Sequence, residues 1–132
     1  MKKTLTSILL GLTLATGTIT AQTHFRSIDF NEALKQSQAE NKLVFIDFYT
    51  DWCGPCRKMS KEVFPQKQVG DYFNAQFVCI KLNAEKEGKE LAQKFEVKAY
   101  PTFIIADQQG NAKVTITCLL YTSPSPRDRT RS

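Results

Sequence analysis

Cys53 and Cys56 stand three positions apart in Trp52-Cys53-Gly54-Pro55-Cys56, directly after the apolar run Leu43-Val44-Phe45-Ile46-Asp47-Phe48-Tyr49. Two thiols at this spacing interconvert between dithiol and disulfide. The run before them reads as a buried strand, so the pair sits where a strand turns into a helix. If Cys53 opens that helix, its sulfur faces unpaired backbone N–H groups and the positive end of the helix dipole. Both favour thiolate, the nucleophilic form. Cys56 lies one turn further on the same face, within reach for a disulfide. Pro55 suits a first helical turn, where its missing N–H is not needed. A permanent stabilising disulfide is a weak alternative, because so short a loop constrains little chain entropy. Half of a zinc site is weaker still: only Cys79 and His24 remain as ligands, and neither has zinc spacing.

Asp47 interrupts the strand six residues before Cys53. Burying a carboxyl costs several kcal/mol unless it is paired or neutralised. Desolvation should raise its pKa toward the working range. The bland reading of Asp47 is a polar residue at a strand edge. Cys79, inside a second apolar run, reads as a small buried hydrophobe.

The elements that must position these groups follow from periodicity. A helix is expected from Asp29 or Phe30 to about Glu40, with Asp29 and Glu32 as a capping-box-like start and Phe30, Ala33, Leu34 and Ser37 as its inward stripe. Strand 43–49 comes next, then a helix from about Gly54 to Phe64, burying Met59, Val63 and Phe64 and stopped by Pro65. A short helix over about Val69–Asn74, a strand over Phe77–Leu82 and a helix over Glu85–Phe95 complete the middle. Thr102–Ala106, the turn Asp107–Asn111 and Lys113–Thr117 make a closing hairpin. Apolar strands alternating with helices predict an α/β fold with a mixed central sheet flanked by helices.

The two ends of the chain differ from its middle. Residues 1–21 have a charged start, an apolar stretch from Ile8 to Ala15 and small residues up to Ala21, the layout of a secretory signal peptide. Cys118 to Asp128 breaks the preceding pattern and resembles a translated sequencing adapter. The native sequence is therefore expected to stop at or before about Thr117, leaving residues 22–117 as the domain and 118–132 as a non-native tail. A disordered Pro/Ser/Arg tail is the alternative. Of the formal charge of +5, Lys2 and Lys3, with Arg127, Arg129 and Arg131 against Asp128, carry +4. The remaining +1 on residues 22–117 gives no electrostatic case for a nucleic-acid partner.

Phe48-Tyr49-Thr50-Asp51-Trp52-Cys53-Gly54-Pro55-Cys56, then Lys81-Leu82-Asn83, then Tyr100-Pro101-Thr102 resembles the thioredoxin family, with these elements in the family's order. The similarity is closest to exported members, including the C-terminal domain of membrane thiol:disulfide interchange proteins. It spans about residues 28–117 and lacks the family's last helix, so one sheet face is expected to lose its cover and the 132-residue product to be poorly stable. The resemblance implies a thiol–disulfide oxidoreductase in which Cys53 attacks a substrate disulfide and Cys56 resolves the mixed disulfide. It implies that Asp47 relays the proton of Cys56, with Lys81 as its partner, although a solvated strand end also explains Lys81. It implies a cis bond at Tyr100-Pro101, with Trp52, Gly54, Pro55, Tyr100, Pro101 and Thr102 forming the surface that receives the substrate. Core filling is the alternative for Trp52, and an ordinary trans bond for Pro101. No bound cofactor is implied beyond the cysteine pair. The implied partners are protein thiols and disulfides and, for a reductant outside the cytoplasm, a membrane electron donor; a monomer is expected. A peptide-binding module without catalysis, and an oxidant or isomerase, are the competing functions.

Overall fold

The computed structural model describes residues 22–118. The expected signal peptide and all but the first residue of the expected tail lie outside this range. Helix α1 spans Phe30–Glu40, strand β1 Leu43–Tyr49, helix α2 Gly54–Lys58, helix α3 Lys67–Gln76, strand β2 Phe77–Asn83, helix α4 Lys89–Lys94, strand β3 Thr102–Ala106 and strand β4 Ala112–Thr117. A single π-helical turn, Met59–Val63, continues α2. The four strands form one mixed sheet in the order β2-β1-β3-β4. β1 runs parallel to β2 and antiparallel to β3, and β3 pairs antiparallel with β4. This is the α/β architecture expected, with helices flanking a mixed sheet.

Alternation along β1 splits the core in two. Val44, Ile46 and Phe48 join Val78, Ile80, Leu82 and Ile104 against α1 and α4. Phe45 turns to the other face and meets Phe64, Phe77 and Phe103, with Phe25 and Phe73 packed on that cluster. The Phe45 ring stands edge-on to Phe73 at 4.7 Å and stacks on Phe103 at 5.4 Å. Asp47, two residues on, shares this second face. The register sets it opposite Lys81 on β2 and Phe103 on β3.

Local sequence explains most element ends. Asp29 caps α1 by accepting the Glu32 N–H at 2.8 Å. Among the described residues only this half of the capping box forms; the Glu32 carboxylate accepts from Gln36. Asn41 closes α1 in the left-handed region, φ 53°. Three expectations shift. The helix over Gly54–Phe64 divides into α2 and the π turn, where the Phe64 N–H reaches back to Met59 O at 3.0 Å; Phe64 is buried, while Met59 and Val63 stay half-buried. The short helix after Pro65 is longer than expected, Lys67–Gln76. The helix expected over Glu85–Phe95 is shortened to α4, because Asn83 holds residues 84–88 in a turn. Its side chain accepts the Glu85 N–H and its carbonyl accepts the Gly88 N–H at 2.8 Å. Gly88 packs so closely there that a Cβ would lie 2.8 Å from Leu82 Cβ and 2.9 Å from Asn83 O.

The segment before α1, to which periodicity assigned nothing, lies along β2. Phe25 bridges to Cys79, the Arg26 N–H donates to Cys79 O at 2.8 Å and the Thr23 N–H donates to Phe64 O at 2.9 Å. At the opposite edge, all six residues of β4 are exposed, with Val114 at 43% and Ile116 at 47%. Among the described residues, no helix is long and apolar enough to cross a membrane.

Candidate functional site

Strand β1 delivers the chain to the cysteine pair. Cys53 is the N-cap of α2 with extended backbone, φ −75° and ψ 103°, and its Sγ accepts the Cys56 N–H at 3.1 Å. A sulfur in that position takes the hydrogen bond that a capping oxygen would take, and the bond favours negative charge on it. Cys53 and Cys56 are joined as a disulfide across a Cα–Cα distance of 5.3 Å. Both are nearly enclosed, Cys53 at 2% exposure. Pro55 occupies the first turn of α2, as its fixed φ favours. Gly54 is exposed, and a Cβ there would come no closer to a neighbour than 4.0 Å, at Arg57.

Trp52 is 64% exposed, which rules out core filling. Its indole N–H donates to Glu85 at 2.9 Å, and its ring stands edge-on to Tyr100 at 5.9 Å. The Tyr100–Pro101 bond is cis, as the resemblance implied, and the loop before β3 meets the cysteine turn through the contact of Tyr100 with Trp52. The Pro101 carbonyl accepts the Cys118 N–H at 3.1 Å. Thr102 is buried and its hydroxyl donates to Ala99 O at 2.7 Å, so its side chain braces the loop. Tyr100 uses neither its N–H nor its C=O among the described residues.

Asp47 is 1% exposed, which excludes a polar strand edge. Burial pushes its carboxyl up to about 6, and the Lys81 ammonium pulls against that rise. The Lys81 Nζ stands 3.9 Å from Oδ2, too far for a hydrogen bond, and Oδ1 has no hydrogen-bond partner among the described residues. Lys81 is held from other directions. Its Nζ donates to Ser60 Oγ at 2.5 Å and lies over the rings of Phe25 at 5.4 Å and Tyr49 at 5.3 Å. A surface cleft of about 290 Å³ runs from Cys56 past Arg57 and Ser60 to Lys81 and Tyr49. The rim beside it is charged: the Asp51 carboxylate accepts from Asn83 at 3.0 Å and pairs with Lys86 at 2.7 Å. A wider groove of about 970 Å³, between α1 and α4, reaches neither cysteine.

Sequence reasoning missed Ser60, Glu85 and Phe25. Ser60 follows Cys56 by four residues, a helical spacing that places both on one face, and that signal was readable. Glu85 and Phe25 gave no local signal, because their partners are distant in sequence. Cys79 is buried with its thiol pushed up to about 12 by desolvation, which makes it an unreactive core residue. Among the described residues, no three His, Cys, Asp or Glu side chains gather to hold a metal.

A disulfide at a strand-to-helix turn, bordered by an exposed Trp and a cis X-Pro loop on a mixed sheet, defines a dithiol redox protein. The family model for a thioredoxin-like domain matches residues 30–117. The chain belongs to that family. It is 33% identical over 96 residues to a thiol:disulfide interchange protein, DsbD, from Haemophilus influenzae, a match covering 69% of this chain and 16% of that protein. A solution structure from Bacteroides thetaiotaomicron, provisionally described as a disulphide-isomerase, superposes with a TM-score of 0.67 at 41% identity, covering 80% of this chain and 86% of that one. A thioredoxin from Thermus thermophilus superposes with a TM-score of 0.60 at 26% identity, covering 70% and 74%. These relatives and the Cys-x-x-Cys pair support thiol–disulfide oxidoreductase activity.

Proposed function

We propose that this chain is an exported reductant of protein disulfides. The observation that carries the reading is the Cys53 sulfur at the N-cap of α2, accepting the Cys56 N–H. In the reduced protein the Cys53 thiolate attacks one sulfur of a substrate disulfide. A mixed disulfide forms and the first substrate sulfur leaves as thiolate. Asp47, ionised, takes the proton of the Cys56 thiol through water. The Cys56 thiolate then attacks Cys53 Sγ, the second substrate sulfur leaves, and the pair closes as a disulfide. Two electrons pass to the substrate, and its two leaving thiolates take their protons from solvent, into which Asp47 releases the proton of Cys56. A membrane-held thiol donor returns the protein to the dithiol. The layout of residues 1–21 and the similarity to an interchange protein support export and this donor. An extended substrate segment docks by strand addition on Tyr100, whose backbone groups are unspent, between Trp52 and the open ground over Gly54.

Cys53→Ser tests the reading: turnover of a bis-cysteine peptide disulfide falls at least about a thousandfold. Residual turnover near the parent's rate overturns it. Cys56→Ser traps the mixed disulfide. The 41% identity to a protein provisionally described as a disulphide-isomerase favours isomerisation as a second reading. The reduction potential separates the two: about −270 mV, typical of reductants, against about −180 mV for isomerases.

A further inference from the structure

The Lys81–Asp47 pair is not closed on itself. At 3.9 Å the ammonium makes no hydrogen bond to the carboxylate, and its one short bond goes to Ser60. Ser60 lies in the π turn Met59–Val63, four residues after Cys56. Such turns displace side chains from the regular helical row. Phe25 and Tyr49 complete a cage around Lys81 Nζ. Two clefts, of about 270 and 290 Å³, meet at this point, and Ser60 and Lys81 line both. Asp47 lines neither. Cys56 opens on one of the same clefts as the Ser60–Lys81 contact.

We infer that Ser60 is a positioning residue: its hydroxyl anchors the Lys81 ammonium beside Asp47 and thereby sets how readily that carboxylate accepts the proton of Cys56. This rests on the proton-relay role proposed for Asp47. The step is a transfer without change of oxidation state. The Cys56 thiol loses a proton, the Asp47 carboxylate gains it, and water later removes it. The titratable and charged groups around Asp47 are Lys81 from β2, Tyr49 further along β1 and the Cys118 thiol beyond β4. Asp51, Arg57 and Lys61 line the cleft from the turn after β1, α2 and the π turn. Of these, Lys81 is the group that opposes the effect of burial. Ser60 adds no charge, so it acts through where it holds Lys81. Without the hydroxyl the long side chain turns toward water and the attraction on Asp47 weakens.

The test is the pH dependence of mixed-disulfide resolution, followed with a bis-cysteine peptide disulfide between about pH 5 and 9. Ser60→Ala moves the acid limb upward by about half a pH unit or more and leaves the rate at the alkaline plateau unchanged. Ser60→Thr, which restores a hydroxyl, returns the limb to the parent's position. The Asp47 carboxyl, followed by carbon-13 NMR in the oxidised protein, shifts with Ser60→Ala in the same direction. Asp47→Asn removes the limb. If the Ser60→Ala profile and the Asp47 titration superpose on the parent's while Asp47→Asn still removes the limb, the inference about Ser60 falls alone. If Asp47→Asn leaves the profile unchanged, both fall.

Discussion

β1 and β4 belong to one sheet and differ in almost every physical respect. β1 is central, paired on both sides and buried from Val44 to Phe48. β4 is an edge strand exposed throughout, although Val114 and Ile116 are as apolar as the side chains of β1. Ile105 and Phe103, which pair with them, lie on the face that carries the Phe45 cluster. The site depends on the first strand: Asp47 is part of β1, and the Cys53–Cys56 turn leaves its C-terminal end. A carboxylate can be kept dry and perturbed only where the strand around it is covered on both faces; β1 meets that condition and β4 does not. β4 supplies a ladder for β3, and the N–H of Cys118 beyond it completes that ladder at Pro101.

The contrast breaks most sharply at Phe45. Phe45→Ala removes the centre of five aromatic contacts and should cost about 3–5 kcal/mol in urea unfolding, enough to abolish folding of a marginal domain. A loss below about 1 kcal/mol would show that the two strands are alike in weight. Asp47→Asn is expected next, with the opposite sign. The folded carboxyl titrates at about 6 against an ordinary 3.8, so the fold favours its protonated form. Its contribution is therefore best below about pH 4 and is lost as pH rises to 6. At pH 7 the buried charge costs about 3 kcal/mol. Asn removes this dependence, and the variant's melting temperature should exceed the parent's at pH 7 but not at pH 4. Gly88→Ala drives a Cβ into Leu82 and the Asn83 carbonyl and should cost about 1–3 kcal/mol, with the Trp52–Glu85 contact loosened as the turn shifts. Tryptophan fluorescence and urea midpoints read the two effects together. Smallest is Ile116→Thr on β4, which should change stability by less than about 0.5 kcal/mol while reducing aggregation during expression. A loss approaching that of Phe45→Ala would mean that this side chain is covered in solution.

The readability of each part follows the distance over which its cause acts. Helix α1, strand β1, the hairpin turn and the Cys-x-x-Cys corner were readable because caps, alternation and turn residues act within a few positions. The shortening of the fourth helix was not, because Gly88 is fixed by contact with Leu82 and Asn83 and not by helix propensity. The π turn was not, because a helical pattern over Gly54–Phe64 does not reveal one extra residue in a turn. The segment around Phe25 lacks any period; its place comes from β2, some fifty residues away.

By itself, the amino-acid sequence determined the chemistry on offer: a thiol pair at a strand-to-helix corner and a single carboxylate in an apolar strand. These are local facts, and spacing and hydrophobicity encode them. Only the tertiary structure decided that Trp52 faces solvent and that Lys81 bonds Ser60 and merely approaches Asp47. Each depends on which strands pair and in what register. That choice comes from packing the whole chain, because no short segment contains both sides of the contact.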